Sequence, residues 1–415
     1  MNTRSFARLA LLVVPAAALS SVSCSTGGST TSSGGSASTT TTSANTGGAA
    51  PTTATTTGAS MTTSTTGTAT TGTSMTTTTT TGTATTTSSS SSSTGGGTMF
   101  PAGTICNDSG TPRTPPTTLK NIIVILEENE NLGAVNGQAV APYLNSLDSK
   151  CGVATKYLDN CFSDNLVSLP HYLALTSGSN CNTGLDQAGT GCITDDGDAT
   201  LHTLSTTSIF AQASSWRSYQ ESMPSACDKS SSGRYAAKHN PAAYYSQLAS
   251  CSADDVAIAA VTCNATTTNK ACTAPNNAFT QDLANDTLPA FAFVSPNLDN
   301  DMHDGTITQA DNWLFTYLPL IFQSKAYLRG DVAVFVVWDE QATSTFGGAT
   351  PNLFISPYIT AGTMTTTTMN HFAVLRAWED ALGISTHLGC ASGTAPGGGA
   401  CPTGSTADVR SALNF

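Results

Sequence analysis

Apolar residues along this chain gather in short unbroken runs. In "NIIVILEENEN" (residues 121–131), five aliphatic residues, Ile122 to Leu126, lead directly into Glu127, Glu128 and Glu130. A β-branched run without alternation reads as a strand buried on both faces, the kind found in parallel sheets covered by helices. Further strands are predicted at "SYQES" (218–222), "VAIAAV" (256–261), "PAFAFVS" (289–295), "DVAVFVVW" (331–338) and "NLFIS" (352–356). Between them the apolar spacing turns helical. It does so in "APYLNSLDSK" (141–150), in "QADNWLFTYLPLIFQSKAY" (309–327) and in "NHFAVLRAWEDALG" (370–383). A fourth helix follows Ser168, which stands just ahead of Leu169 and Pro170, a natural helix start with Ser168 as N-cap. Strands alternating with helices predict an α/β fold: a mostly parallel central sheet with helices on both faces, in one catalytic domain spanning 99–415.

Composition confines that domain to part of the 415 residues. Residues 1–23 carry Arg4 and Arg8, an apolar stretch and a small-residue end, the pattern of a secretory signal peptide. Cys24 follows directly and is a candidate lipid anchor, although Ser21 stands where such signals usually carry Leu; plain secretion is the alternative. Residues 25–98 are almost wholly Ser, Thr, Gly and Ala, so nothing offsets their chain entropy, and 24–98 reads as a stalk with a mean reach of about 50 Å. No later run approaches the length of a transmembrane helix.

Charge narrows the partners. Removing Arg4 and Arg8 takes the formal net charge from −12 to −14. A surface that acidic argues against nucleic acid, and it leaves any phosphate substrate to be held by metal ions or local donors. Twelve cysteines in an exported chain read as disulfides. Proximity suggests Cys151–Cys161, Cys181–Cys192, Cys227–Cys251, Cys263–Cys272 and Cys390–Cys401, with Cys24 and Cys106 left over.

The candidate chemistry sits where strands end. In a chain that is 10% charged, "VVWDEQ" repeats the opening theme, a buried strand closing on Asp339 and Glu340. Carboxylates gathered without a cation repel one another, so such a site is usually a metal site. "SPNLDNDMHDG" (295–305) adds Asp301, His303 and Asp304 after another strand, with an Asx-rich turn as the alternative reading. His239 and His371 are two of only six histidines. Ser168 has two readings: helix cap, or nucleophile placed where helix amides meet an anion.

The ordered landmarks "VILEEN", "SLPHYLALTSG", "SYQESMPSAC", "KHNPAAYY", "LPAFAFVSPNLDNDMHD", "VVWDEQ" and "NHFAVLRAWEDALG" resemble the bacterial and fungal phosphoesterase family. That family holds acid phosphatases and non-haemolytic phospholipases C, within the alkaline phosphatase superfamily. The resemblance covers about residues 118–390. It implies an alkaline phosphatase-like fold and a divalent metal ion held by Glu128, Asn129, Asp339 and Glu340, with Ser168 as nucleophile and further metal ligand. It also implies that His303 and His371 hold the phosphoryl group, protonate the leaving oxygen or bind a second metal, with Asp301, Asp304 and His239 as lesser members. His171 stands where the motif usually has Asn, a phosphate donor, and Lys238 is the nearest helper charge. The expected activity is hydrolysis of a small phosphate monoester through a phosphoserine. A phospholipase C acting at a phospholipid headgroup, and a catalytically decayed binding module, are the alternatives. The Cys/Ser-x-Pro-x-Arg signature of sulfatases is missing.

Overall fold

A computed structural model of the chain describes residues 99–162, 167–179, 193–273, 275–342, 347–396 and 399–415. The predicted signal peptide, the stalk, Cys24 and the Cys181–Cys192 pair lie outside the described residues. Eight strands form one sheet: β1 Asn121–Glu127, β2 Gly152–Ala154, β3 Trp216–Glu221, β4 Asp255–Ile258, β5 Phe291–Ser295, β6 Val332–Trp338, β7 Asn352–Ile355 and β8 Thr363–Thr365. Their spatial order is β4-β3-β5-β1-β6-β7-β2-β8, and only β7 runs against its neighbours. The fold is therefore α/β with a mostly parallel sheet.

Every residue of β1, β5 and β6 is buried, which requires cover on both faces and explains why these strands read as apolar runs. The helix Pro142–Asp148 packs against Ile307–Gln323, and Ser168–Ser177 packs against His371–Ala381. The register of the central strands then decides what meets at their ends. Glu127 of β1 stands opposite Trp338 of β6, so Glu128 and Asp339 leave the sheet side by side; the Asp339 amide donates to the Glu127 carbonyl at 3.1 Å.

Several expectations needed correction. The strand predicted at 256–261 stops at Ile258, because the Val261 amide leaves the ladder and donates to Glu221 Oε1 at 2.8 Å. β2 and β8, three residues each, are too short to show a period and were not anticipated. Cys151 pairs with Cys106, not with Cys161, which is a free, buried thiol; proximity in sequence misled where a 45-residue loop brings Cys106 back to the sheet. Cys227–Cys251, Cys263–Cys272 and Cys390–Cys401 are formed.

Two buried carboxyls away from the carboxyl ends of the strands make stability depend on pH. Asp255 takes a hydrogen bond from Asn240 Nδ2 at 2.7 Å, and burial pushes its pKa up to about 7. Burial likewise pushes Glu379, which accepts from the Leu388 amide, up to about 8. Both ionise near pH 4 in an unfolded chain. Above pH 4 the folded protein therefore holds protons that the unfolded chain has released, and stability falls as pH rises through 7 to 8. Measured in chelator, the melting temperature at pH 5 is expected to exceed that at pH 8.5 by roughly 5 °C, and Asp255→Asn should narrow the gap. A flat profile would mean that neither group is protonated in the fold.

Candidate active site

The carboxyl ends of β1, β5 and β6 lie along one edge of the sheet, where open α/β sheets bind ligands. Asn129 turns the chain sharply there: its φ of 45° is in the left-handed region, which Asn tolerates better than most residues. That turn points its amide at Asp339 Oδ1, 3.1 Å away, and the same oxygen takes the Glu340 amide at 2.6 Å. The loop after β5 is tied in by the Glu128 amide, which donates to the Asp301 carbonyl at 2.8 Å. Glycine at 305 lets that loop close, since a Cβ there would sit 1.8 Å from the Asp299 carbonyl oxygen.

Ser168 is the first residue of its helix, with Val167 in the cap position, and its side chain makes no cap bond. Its Oγ instead donates to Glu128 Oε2 at 3.0 Å, and the residue is buried. The cap reading of Ser168 is thereby removed. Tyr172, one turn on along the same face, donates its hydroxyl to Glu128 Oε1 in a short bond.

One oxygen each of Glu128, Asp339 and Glu340 lie within 4.8 Å of one another, and all three residues are buried. Burial, then the mutual repulsion of neighbouring carboxylates, raises the pKa of Glu128 and of Glu340. Burial also raises Asp339, against the pull of the Asn129 amide. Asn129 Oδ1, Asp339 Oδ2 and Glu340 Oε2 are buried and take no hydrogen bond from the described residues. Buried oxygen acceptors without donors, converging with like charge, fit a hard divalent cation and would be costly without one. Glu127 ends on a different footing. Burial, followed by Asp301 and Glu221, raises its pKa well above normal.

The remaining predicted residues separate into two groups. His239 is buried between Glu128 and Asp301, its Nε2 3.1 Å from Glu128 Oε1 and its Nδ1 3.2 Å from Asp301 Oδ2. Burial lowers its pKa well below normal, so the ring is neutral, as a metal ligand must be. One atom each of His239, His303 and Glu128 lie within 4.8 Å of one another, a second place where a cation fits. Lys238 Nζ lies 3.3 Å from His303 Nε2 and donates to Asp196 Oδ2 at 2.9 Å. Burial works against its charge, but Asp196, then Glu128 and Asp339, hold its pKa above the ordinary value.

Three others are not among the converging ligand atoms. Asp304 faces outward, bonded to His303 Nδ1 at 2.9 Å and to Arg234 Nη1 at 2.8 Å; the first of these bonds, then Arg234, keep its pKa low. His371 is buried with Tyr157 Oη 2.7 Å from Nδ1 and the Asp339 carbonyl 2.6 Å from Nε2. Burial drives its pKa down to about 3, and the neutral ring donates its Nε2 proton to the Asp339 carbonyl, which steadies the end of β6. His171 lies fully buried, 3.4 Å from Asp159 Oδ1 and 3.6 Å from Glu340 Oε2. It touches a candidate ligand and does not face the opening of about 190 Å³ that Asn129, Glu340, Gln341 and Ala342 line.

Sequence reasoning missed Tyr172, Asp159 and Asp196. Tyr172 could have been found from its spacing to Ser168, four residues along one helix face. Asp159 and Asp196 carried no signal, because each is brought in by a loop remote in sequence.

The sequence has counterparts among known proteins. A family model described as "Phosphoesterase family" matches residues 131–385. The chain belongs to the phosphoesterase family. A phosphatidylinositol-3-phosphatase of Mycobacterium tuberculosis is 29% identical over 268 residues, covering 64% of this phosphoesterase and 78% of that protein. A phosphate-repressible acid phosphatase of Penicillium chrysogenum is 28% identical over 39% of this chain and 37% of its own, and an acid phosphatase of Aspergillus fumigatus is 26% identical over 52% and 46%. The phosphoesterase thus spans less than half the length of these two fungal relatives. A solved structure of a protein in the alkaline phosphatase superfamily from Vibrio parahaemolyticus is 14% identical, covers 66% of this chain and 68% of that one, and has a TM-score of 0.40. The fold class rests on the sheet itself and not on that likeness. As a phosphoesterase with phosphatase relatives, the chain is a hydrolase of phosphoric esters.

Proposed function

We propose that this phosphoesterase is an exported, metal-dependent phosphomonoesterase that works through a phosphoserine on Ser168. The observation that carries the reading is the bond from Ser168 Oγ to Glu128 Oε2, inside a convergence of buried carboxylates. Glu128, Asn129, Asp339 and Glu340 would hold the cation, with Asp301 beside His239 as a neighbouring carboxylate. When bound, the cation lowers the serine hydroxyl pKa and neutralises phosphoryl oxygens.

The chain's own residues supply the rest. Ser168 Oγ attacks phosphorus in line, giving its proton to an adjacent carboxylate as the bond to the leaving oxygen breaks. Lys238 provides positive charge against the phosphoryl oxygens. His303, backed by the carboxylate of Asp304, donates a proton to the leaving alkoxide. Water then takes the phosphoryl group from Ser168. His171 and His371 steady Glu340 and Asp339 and do not touch substrate.

The four disulfides among the described residues support export, since such bonds persist in oxidising surroundings. Among the described residues no helix is long and apolar enough to cross a membrane. The signal peptide, the stalk and a lipid anchor at Cys24 belong to the same proposal. The mycobacterial relative, by its name, acts on a phosphate monoester carried by a lipid headgroup, so both soluble monoesters and phosphoinositides are substrate candidates.

The test is hydrolysis of p-nitrophenyl phosphate, bis-p-nitrophenyl phosphate and a short-chain phosphatidylinositol 3-phosphate from pH 4 to 9, with and without chelator. Monoester turnover that chelator removes is expected. Preference for the diester would move the enzyme to the phospholipase C side, and no turnover of any of them with metals restored would revive the decayed binding module.

A further inference from the structure

The Ser168 helix lacks a cap of its own. Ser168 is committed to Glu128, so among the described residues no side chain next to the helix start accepts from its free amides. The acceptor comes from a distant loop: Asp196 Oδ1 takes the Leu169 amide at 3.1 Å, and Asp196 Oδ2 takes Lys238 Nζ at 2.9 Å. One of these donors is on the residue next to the proposed nucleophile in the chain, and the other is the ammonium that faces His303. They are the donors that a phosphoryl group on Ser168 needs.

The Asp196 carboxylate has the charge and the spread of two acceptor oxygens that the phosphoryl group would bring. It also adds a negative charge to a site that already holds Glu128, Asp301, Asp339 and Glu340, and it is among the charges that raise Glu340. A carboxylate placed against an anionic substrate costs affinity unless it gives way.

Resting on the phosphomonoesterase reading, we infer that Asp196 is an internal competitor for the phosphoryl seat, which substrate displaces and which expels the product orthophosphate. Occupation weakens the apparent affinity in proportion to the fraction of molecules left open. It acts on ground-state substrate and on product alike, so it raises KM and relieves product inhibition. Between turnovers it also holds the ammonium of Lys238 toward the seat.

The experiment is titration calorimetry with orthophosphate on the full exported chain, with and without added Mg²⁺ or Ca²⁺, comparing wild type, Asp196→Asn and Asp196→Ala. A seat filled in nine-tenths of molecules predicts binding about tenfold tighter in both variants, with a parallel fall in KM and in the Ki of orthophosphate. Asp198→Asn, the same charge change on a carboxylate bonded to Ser231, should leave phosphate affinity within about twofold. Unchanged or weaker binding in Asp196→Asn would overturn the inference and leave Asp196 as a holder of Lys238. The Asn variant retains an oxygen for the Leu169 amide, so a cap lost in the Ala variant cannot mask the result. Calorimetry needs no turnover. Tighter phosphate binding in a protein that hydrolyses no ester would sink the catalytic reading and keep this one.

Discussion

Ser168→Ala is expected to cut turnover of p-nitrophenyl phosphate by at least about a thousandfold, as loss of a covalent nucleophile does in other hydrolases. Its melting temperature should stay within a few degrees of wild type. The two expectations belong together because the serine has one bond to lose, the donation to Glu128 Oε2, worth about 1 kcal/mol net. A serine that capped its helix would cost more, but no cap bond exists here, and alanine suits a helix at this position. The burial of Ser168 is no obstacle to the assignment, since the phosphoryl group would approach from the side where Leu169 and Lys238 present their donors. Retention of most activity in the alanine variant would show that another group attacks phosphorus. A drop of ten degrees or more would return Ser168 to a structural role.

Asp339→Asn is expected to lose turnover together with the cation's effect on stability. In wild type, a divalent cation at 100 to 1,000 times its dissociation constant stabilises the fold by about 2.7 to 4.1 kcal/mol, read as a rise of roughly 5 to 10 °C in melting temperature. The variant should show little or none of that rise. In chelator the order reverses, with the variant melting at or above wild type. Three desolvated carboxylates within 4.8 Å destabilise the metal-free fold, and the substitution removes one of them. The amide oxygen still accepts the Asn129 and Glu340 amides that Asp339 Oδ1 takes now, so the strand end keeps its shape. A variant that kept the full cation-dependent rise would place the metal elsewhere, with Glu128, His239 and His303 the next group to test.

How much of this site could be read in advance depended on how local its causes were. The strands of the central sheet, the acidic residues at the ends of β1 and β6 and the Ser168 helix follow from nearest neighbours and periodicity. Aliphatic β-branched runs can only be buried on both faces, and charge can only follow where they surface. The order of the landmark segments was likewise legible, and it led to the family that residues 131–385 match.

The roles of single side chains were decided in three dimensions. Two residues that look alike in sequence, His303 and His371, part company because one lies between Lys238 and Asp304 and the other is sealed between Tyr157 and the Asp339 carbonyl. His171, expected at the phosphate, lies 3.4 Å from Asp159 and 3.6 Å from Glu340. Cys106 found Cys151 across 45 residues, which no count of spacings could favour over the nearer Cys161. Asp196 enters the site from a loop 27 residues beyond Leu169. By itself the sequence determined the long strands of the central sheet and which of their ends carry charge. Only the tertiary structure decided which donor faces which acceptor, because register between strands and loops closed over long separations have no trace in the order of residues along the chain.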